Sequence, residues 1–265
     1  MRLKIIHRTE YAYSEPVAYA LQRLRLVPYS DQSLKVLDWA LAIEGAKQEV
    51  AFVDQYGNET RLVSVSGEPR TISVEARGDV ETVDNAGVVG QHRGFAPLWL
   101  FHHETPLTRP GEGIEALAAS IGGARELDRL HALMHAVADQ VGYETGRTAS
   151  DTTAEDAFAR KSGVCQDHAH IMIAATRLLG MPARYVSGYL KLDEATEQAA
   201  SHAWAEAYVQ GLGWVGFDPS NRMSPDGRYV RLATGRDYRD AAPISGIRLG
   251  SSEELLTVQI TVEQQ

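Results

Sequence analysis

Over residues 2 to 84 apolar and polar residues alternate with the two-residue period of half-buried strands. Leu24 and Leu26 interleave with Arg23 and Arg25, and Ile72, Val74 and Ala76 with Ser73, Glu75 and Arg77. Turn-forming runs at Pro28-Tyr29-Ser30-Asp31, Gln55-Tyr56-Gly57-Asn58 and Ser66-Gly67-Glu68-Pro69 separate the strands. Short strands at this spacing, with no helical period among them, predict an all-β, sandwich-like domain over residues 1–105. A glycine-rich piece, Gly87 to Gly94, then leads to the apolar run Phe95 to Phe101, which is expected to pack against the second domain. The polar, Pro-bearing stretch Glu104 to Gly113 reads as the connection, and the second domain takes residues 106–265.

In that second part the period changes to that of a helix. Leu127, Leu130, Met134, Val137 and Val141 share one face of a helix predicted over 125–141, with Gly142 as its cap. Thr152-Thr153-Ala154-Glu155 reads as a capping box opening a short helix. Next comes Ser162-Gly163-Val164-Cys165, followed by Ala169, Met172, Ile173, Thr176 and Leu179 at helical spacing, a Gly180 stop and Pro182. Two runs rich in aromatic and branched residues, Ser201 to Val209 and Trp214 to Pro219, read as strands joined by a turn at Gln210 to Gly213. The midpoint of positions 202 and 218 falls inside that turn. A hairpin closing there sets His202 across from Asp218, within a register error of about two residues.

Composition narrows the function classes. Hydrophobic residues at 44% and charged residues at 23% fit an ordinary globular chain. The net charge of −9 lies mostly in the second part, which has 14 basic and 21 acidic residues beyond position 110, against 12 and 14 before it. An acidic domain without a basic run repels phosphate backbones, so nucleic acid is not an expected partner. One cysteine in 265 residues allows neither an internal disulfide nor a multi-cysteine metal site. No apolar run reaches the length of a membrane span, and the N-terminus turns charged too early for a signal peptide, so no membrane partner and a cytoplasmic location are expected. No cofactor is implied. Gly211-Leu-Gly213-Trp-Val-Gly216 matches a dinucleotide-binding pattern, but it opens a strand where that pattern needs a helix. His131 and His135 stand four apart without the intervening glutamate of a zinc-protease helix, so no metal site is assigned.

The single cysteine is the candidate nucleophile. A cysteine in a helix's first turn meets unpaired N–H groups and a dipole that favours thiolate. That dipole supplies about 0.3–1 kcal/mol at an exposed site, too little alone to ionise a thiol at neutral pH. A charged imidazole has to supply the rest, and a His202 steered by Asp218 would suit. The 37 residues between Cys165 and His202 do not by themselves bring the two together. Asp167 is explained as an acid at a helix start, and His170 as a core or cleft histidine.

Gly-Val-Cys165-Gln-Asp-His-Ala, Ser-His202-Ala-Trp-Ala-Glu and Gly-Trp-Val-Gly-Phe-Asp218-Pro-Ser together resemble, in order, the three core motifs of the transglutaminase-like superfamily. The resemblance is to its bacterial branch of transglutaminase-like and cysteine-protease-like enzymes. It extends to residues 1 to about 100, similar to that branch's N-terminal β domain, and to Gly235-Arg236-Asp237-Tyr238 with Pro243 and Gly246. The resemblance implies an α+β, papain-like catalytic domain, a Cys-bearing helix packed on an antiparallel sheet, with Cys165, His202 and Asp218 as its triad. It implies acyl transfer through a thioester from a peptide or protein amide. Hydrolysis by water is the favoured outcome; crosslinking to an amine and a non-catalytic binding or scaffold module are the alternatives. Tyr143 is the candidate second oxyanion donor. Trp204 and Glu206 stand on His202's face of their strand; Trp204 is the candidate cleft wall, with packing the plainer reading of both. The loop 191–200, carrying Asp193, Glu194 and Glu197, is expected to flank the cleft and to suit a basic or neutral peptide.

Overall fold

The computed structural model describes residues 1–265 apart from Ser66, Glu194, Ala195 and residues 250–252. Ser66 of the third predicted turn and Glu194 of the predicted cleft loop therefore lie outside the described residues. The alternating N-terminal segment forms six strands: β1 (Arg2–Tyr13), β2 (Tyr19–Val27), β3 (Leu34–Glu44), β4 (Ala46–Val53), β5 (Glu59–Val65) and β6 (Thr71–Thr82). After a short strand β7 (Val88–Gly90) and a 3-10 turn at Leu98–His102 come α1 (Glu112–Ser120), α2 (Glu126–Gln140), β8 (Gly142–Tyr143), α3 (Ala154–Arg160) and β9 (Ser162–Gly163). The chain continues with α4 (Cys165–Leu178), β10 (Ala183–Leu190), β11 (Glu197–Gln198), β12 (His202–Val209), β13 (Gly213–Phe217) and β14 (Tyr229–Gly235). It closes with α5 (Tyr238–Ala241), β15 (Ile244–Leu249) and β16 (Glu254–Gln264).

Three larger sheets result, ordered β11-β16-β1-β6-β3, β15-β2-β5-β4 and β14-β10-β12-β13-β7, every pairing within them antiparallel. The first two form the expected sandwich-like part; the third, with α4 against β12, forms the α+β part. The predicted cut at residues 105/106 needs correcting. β15 and β16 return to pair with β2 and β1, while β7 leaves the N-terminal segment to pair with β13. The reason is burial. Ile260 and Val262 of β16 complete an apolar core with Leu3, Ile5, Leu26 and Val74, and Tyr189, Val230 and Leu232 enter the same core from the third sheet. One hydrophobic cluster thus spans both parts.

Local expectations hold for most elements. Gly180, at φ +84°, follows α4 as a left-handed stop that other residues enter only with strain. Gly142 does not cap α2; Val141 does, and Gly142 opens β8, which runs parallel to β9. The α3 cap is Thr153, whose hydroxyl accepts the Asp156 N–H. Glu155, predicted to close that capping box, turns instead to α1, a helix missing from the sequence reading. Its carboxylate accepts the N–H groups of Gly111, Gly113 and Ile114 at 2.8–3.1 Å, meeting unpaired donors and the positive end of the dipole. Of the apolar run 95–101, Phe101 is buried against Trp214 and Tyr56, while Phe95 and Trp99 face solvent.

Two polar arrangements centred on arginines tie distant segments together. Arg177 of α4 donates to the carbonyls of Phe101, Ala183 and Arg236 and to the Thr108 hydroxyl, at 2.7–2.9 Å. Glu206 is fully buried; Arg184 and Arg231 both grip it, and Arg231 also pairs with Asp31 from the β2–β3 loop. A carboxylate on the inner face of β12 is tolerated there because two guanidiniums neutralise and hydrogen-bond it.

Candidate active site

Cys165 stands at the first position of α4, after Val164 as N-cap. Its own N–H therefore has no partner within the helix. Asp167, one turn on, is buried and accepts the Val164 N–H at 2.8 Å and the Thr148 hydroxyl at 2.7 Å. This locks the turn in front of the cysteine. Gly163 is needed there, because a Cβ would stand 2.7 Å from that of Asp167.

His202 opens β12 in the neighbouring sheet. β12 and β13 pair Ala205 with Phe217, and continuing that register sets Asp218 opposite Trp204. The hairpin is thus offset by two residues from direct opposition, and His202 and Asp218 are diagonal neighbours on one face, still within side-chain reach. The His202 Nε2 meets Asp218 Oδ2 at 2.6 Å. Asp218 is fully buried and also accepts from Asn221 Nδ2 at 2.7 Å and the Tyr229 hydroxyl at 2.9 Å. Burial alone would raise the Asp218 carboxyl, but His202, Asn221 and Tyr229 hold it below its ordinary value. Burial likewise works against charge on His202. Its hydrogen bonds to Asp218 and Cys165 outweigh that and lift the imidazole to about 10, so it is an imidazolium at neutral pH. With Nε2 committed to the carboxylate, Nδ1 is the nitrogen left to face the thiol.

Tyr143 sits beside Gly163 through the β8–β9 pair and lines the same cleft as Cys165; burial first, then the neighbouring Cys165 and Asp218, push its hydroxyl up to about 12. It therefore stays a donor across the working range. Of the two readings of Trp204, the structure has the packed aromatic and not the cleft wall. Its ring is buried behind the imidazole, 6.3 Å away and nearly parallel, and edge-on to Tyr229; it supports His202 and does not line the cleft. Gly188 makes room for that ring, since a Cβ would lie 2.6 Å from it.

Two histidines of α4 have separate structural partners. Nδ1 of His168 meets the Ser220 hydroxyl at 2.9 Å. His170 Nε2 accepts the Tyr238 N–H at 3.1 Å, and burial lowers its pKa to about 3, so it is a neutral core histidine as expected. His131 packs its ring against Phe217, and no cluster of metal-binding side chains occurs among the described residues.

Cys165 and His202 open into a cleft of about 660 Å³. Tyr185, Leu190, Leu192 and Tyr238 supply apolar walls, and Gln166, Gln198 and Asn221 supply amides. Among the described residues no Asp, Glu, Lys or Arg lines it. Of the described loop acids, Glu197 does not line the cleft, and Asp193 pairs outside it with Lys191 and Arg228. Sequence reasoning missed Asn221 and Tyr229, the two further donors to Asp218. The Asn lies three residues beyond Asp218, a spacing at which a turn side chain reaches back, so a local signal existed; Tyr229 comes from β14 and left none.

Comparison with known proteins agrees with this geometry. Residues 115–219 match the family described as the transglutaminase-like superfamily, and residues 3–81 the bacterial transglutaminase-like N-terminal region. An uncharacterized protein of Mycobacterium leprae is 27% identical over 275 residues, covering 98% of each chain. A crystal structure of a putative cysteine protease from Cytophaga hutchinsonii superposes with a TM-score of 0.76 at 26% identity, covering 100% of this chain and 91% of that one. A protein-glutamine gamma-glutamyltransferase of Pseudomonas aeruginosa is 32% identical over 112 residues, which is 38% of this chain and 17% of that protein. With both regions matched in order and the fold shared along its whole length, the chain belongs to the transglutaminase-like superfamily and carries the bacterial N-terminal β region ahead of an α+β core.

Proposed function

We propose that the protein is a cysteine-dependent acyl-transfer enzyme that cleaves an amide bond through a thioester on Cys165, with water as the usual acceptor. The observation that carries this reading is the position of His202, hydrogen-bonded to a buried carboxylate and facing the same cleft as the single thiol. The proton given up by Cys165 rests on Nδ1 of His202, so the pair stands as thiolate and imidazolium before substrate arrives, and Asp218 stabilises the cation and fixes the ring. The thiolate attacks the carbonyl carbon. The resulting oxyanion meets the Cys165 N–H, still unpaired at the helix start, and the Tyr143 hydroxyl. The C–N bond then breaks as His202 returns the proton to the leaving amine, and the acyl group stays on sulfur. His202 next takes a proton from water, whose oxygen attacks the thioester. The C–S bond breaks, the acid leaves and the pair of thiolate and imidazolium is restored.

The choice of water rests on the whole-chain likeness to a structure titled a putative cysteine protease, whereas the glutamyltransferase likeness is confined to the core. A cleft without carboxylates among its described lining also gives an ammonium group nothing to pair with. The test is incubation with a peptide-amide library, with and without a lysine analogue, read by mass spectrometry. Hydrolysed products with no amine adducts support the reading. Amine adducts in excess of acid would assign the crosslinking reaction, and an inert thiol at every pH would leave a non-catalytic module.

A further inference from the structure

The cleft does not end at its own walls. A second hollow of about 300 Å³ adjoins it, sharing Gln198 and Ala199, and its far side is residues 258–261 of β16. β16 pairs with β1 along its full length, from Glu254 to Gln264, but among the described residues its other side meets only the short β11, at Thr261 and Ile260, and the Thr196 carbonyl beside it. The Val262 N–H donates to the Thr196 carbonyl on that outer side, and the Gln265 N–H to Arg2 on the inner side. Even-numbered residues of β16 therefore direct their N–H and C=O groups away from β1. At Leu256 and Val258 those groups meet no strand among the described residues. Exposed edges are ordinarily guarded by charge, proline or a bulge. This one presents Leu255 and Leu256, both exposed, in a ladder to β1 without a register shift.

We propose that the open edge of β16 is a substrate-binding surface: an extended, uncharged polypeptide whose scissile amide lies at Cys165 runs past Gln198 and Ala199 and adds as a strand along residues 254–259. This rests on the acyl-transfer reading above and supplies its substrate class, unfolded chain rather than a small amide. Main-chain pairing gives such a site affinity without demanding a particular sequence, and the neutral cleft next to Cys165 selects against charged residues. β11 is already bonded to the same edge, so a substrate strand would continue a sheet that has been started.

The test uses two electrophiles that alkylate Cys165, a minimal acrylamide and the same group flanked on both sides by short runs of uncharged residues, with iodoacetamide as a size-independent control. Labelling is followed by intact mass on the full chain. The expected result is that the flanked probe labels faster by about ten-fold or more, a preference that two or more hydrogen bonds can supply. N-methylation of alternate probe nitrogens, and the substitution Leu256→Pro, should remove that preference and leave iodoacetamide labelling unchanged. Leu256→Pro deletes an outward N–H at an exposed edge, where proline is tolerated; the N-methyl series needs no variant at all. Equal rates for both probes, with iodoacetamide still fast, would overturn the edge proposal and leave the enzyme reading standing; slow iodoacetamide labelling would overturn both. A dimer in solution that Leu256→Pro converts to monomer, without a change in probe preference, would assign the edge to a second copy of this chain and overturn the proposal.

Discussion

Replacing Asp218 by Asn tests the heart of the site, because it preserves shape and removes one charge. In the native arrangement the carboxylate accepts from His202 Nε2 at 2.6 Å, which places a proton on that nitrogen and leaves Nδ1 for the thiol. His202 Nε2, the Tyr229 hydroxyl and Asn221 Nδ2 all meet the same Oδ2, so an amide that keeps its carbonyl for the Asn221 N–H sets its NH₂ there and faces Nε2 with a donor. The imidazole must then carry its proton on Nδ1, facing Cys165, in the wrong tautomer to act as base. Where this logic has been measured in a triad, the loss in turnover is about 10⁴-fold. The second effect is on charge. Burial opposes the imidazolium, and Asp218 is foremost among the groups that lift it to about 10; without the carboxylate, burial prevails and the ring is neutral at pH 7. Iodoacetamide labelling against pH reads this directly. With no imidazolium beside the sulfur, the variant should label slowly at pH 6 and faster as the pH rises. The native protein should label faster at pH 6 by roughly ten-fold, allowing for the weaker nucleophilicity of a stabilised thiolate. The stability sign is also fixed. A raised histidine pKa contributes fully below about 6.5 and fades as pH climbs to about 10, so that part of the gap between native and variant should narrow over this interval. Coincident labelling profiles from pH 5 to 10 would refute the reasoning.

Other substitutions separate chemistry from scaffold. Tyr143→Phe should lower turnover by about 10²–10³-fold with Cys165 alkylation nearly intact, since it removes an oxyanion donor and not the base; steady-state kinetics beside labelling would show the split. Glu206→Ala strands Arg184 and Arg231 in the interior with Asp31 as the only remaining carboxylate, so urea unfolding should show a loss of about 3–5 kcal/mol. A loss near zero would mean that water reaches the two guanidiniums. Gly188→Ala pushes a methyl to 2.3 Å from the Val230 carbonyl and 2.6 Å from the Trp204 ring, for an expected cost of about 1–3 kcal/mol. Gly122→Ala, with nothing within 4 Å, is the neutral control by thermal denaturation.

What could be read in the chain beforehand follows the range of the forces involved. The α4 helix, its Gly180 stop and the strand alternation of residues 2–84 depend on near neighbours, and they were legible. The β12–β13 register was legible to two residues, because the turn, which sets it, was located only approximately. Helix α1 was hidden because Gly111-Glu112-Gly113 looks like a linker, and the carboxylate that caps it comes from Glu155, more than forty residues on. The burial of Glu206 was illegible for the same reason, its partners lying on β10, on β14 and, one step further, in the β2–β3 loop. Trp204 was placed on the correct face of its strand, but the face looks toward Tyr229 and the sandwich rather than the open cleft. The return of β15 and β16 to the first sheets left no trace in local pattern, since any amphipathic strand could have filled those edges.

The pairing of β16 with β1 also carries a consequence for biosynthesis. A ribosome delivers residues 2–13 some two hundred and forty positions before the segment that will lie beside them, so the first sheet spends most of translation without β16 and the β11 that pairs with it. Its vacant flank, with Leu3 and Ile5 still lacking Ile260 and Val262, is then a place where nascent chains can stick to one another. Because β11 is anchored on the same late-arriving segment, the wall beside the cysteine takes its final position only when that segment docks. A product released before residue 254 would thus have the whole triad but neither a finished barrier around it nor a sealed sandwich.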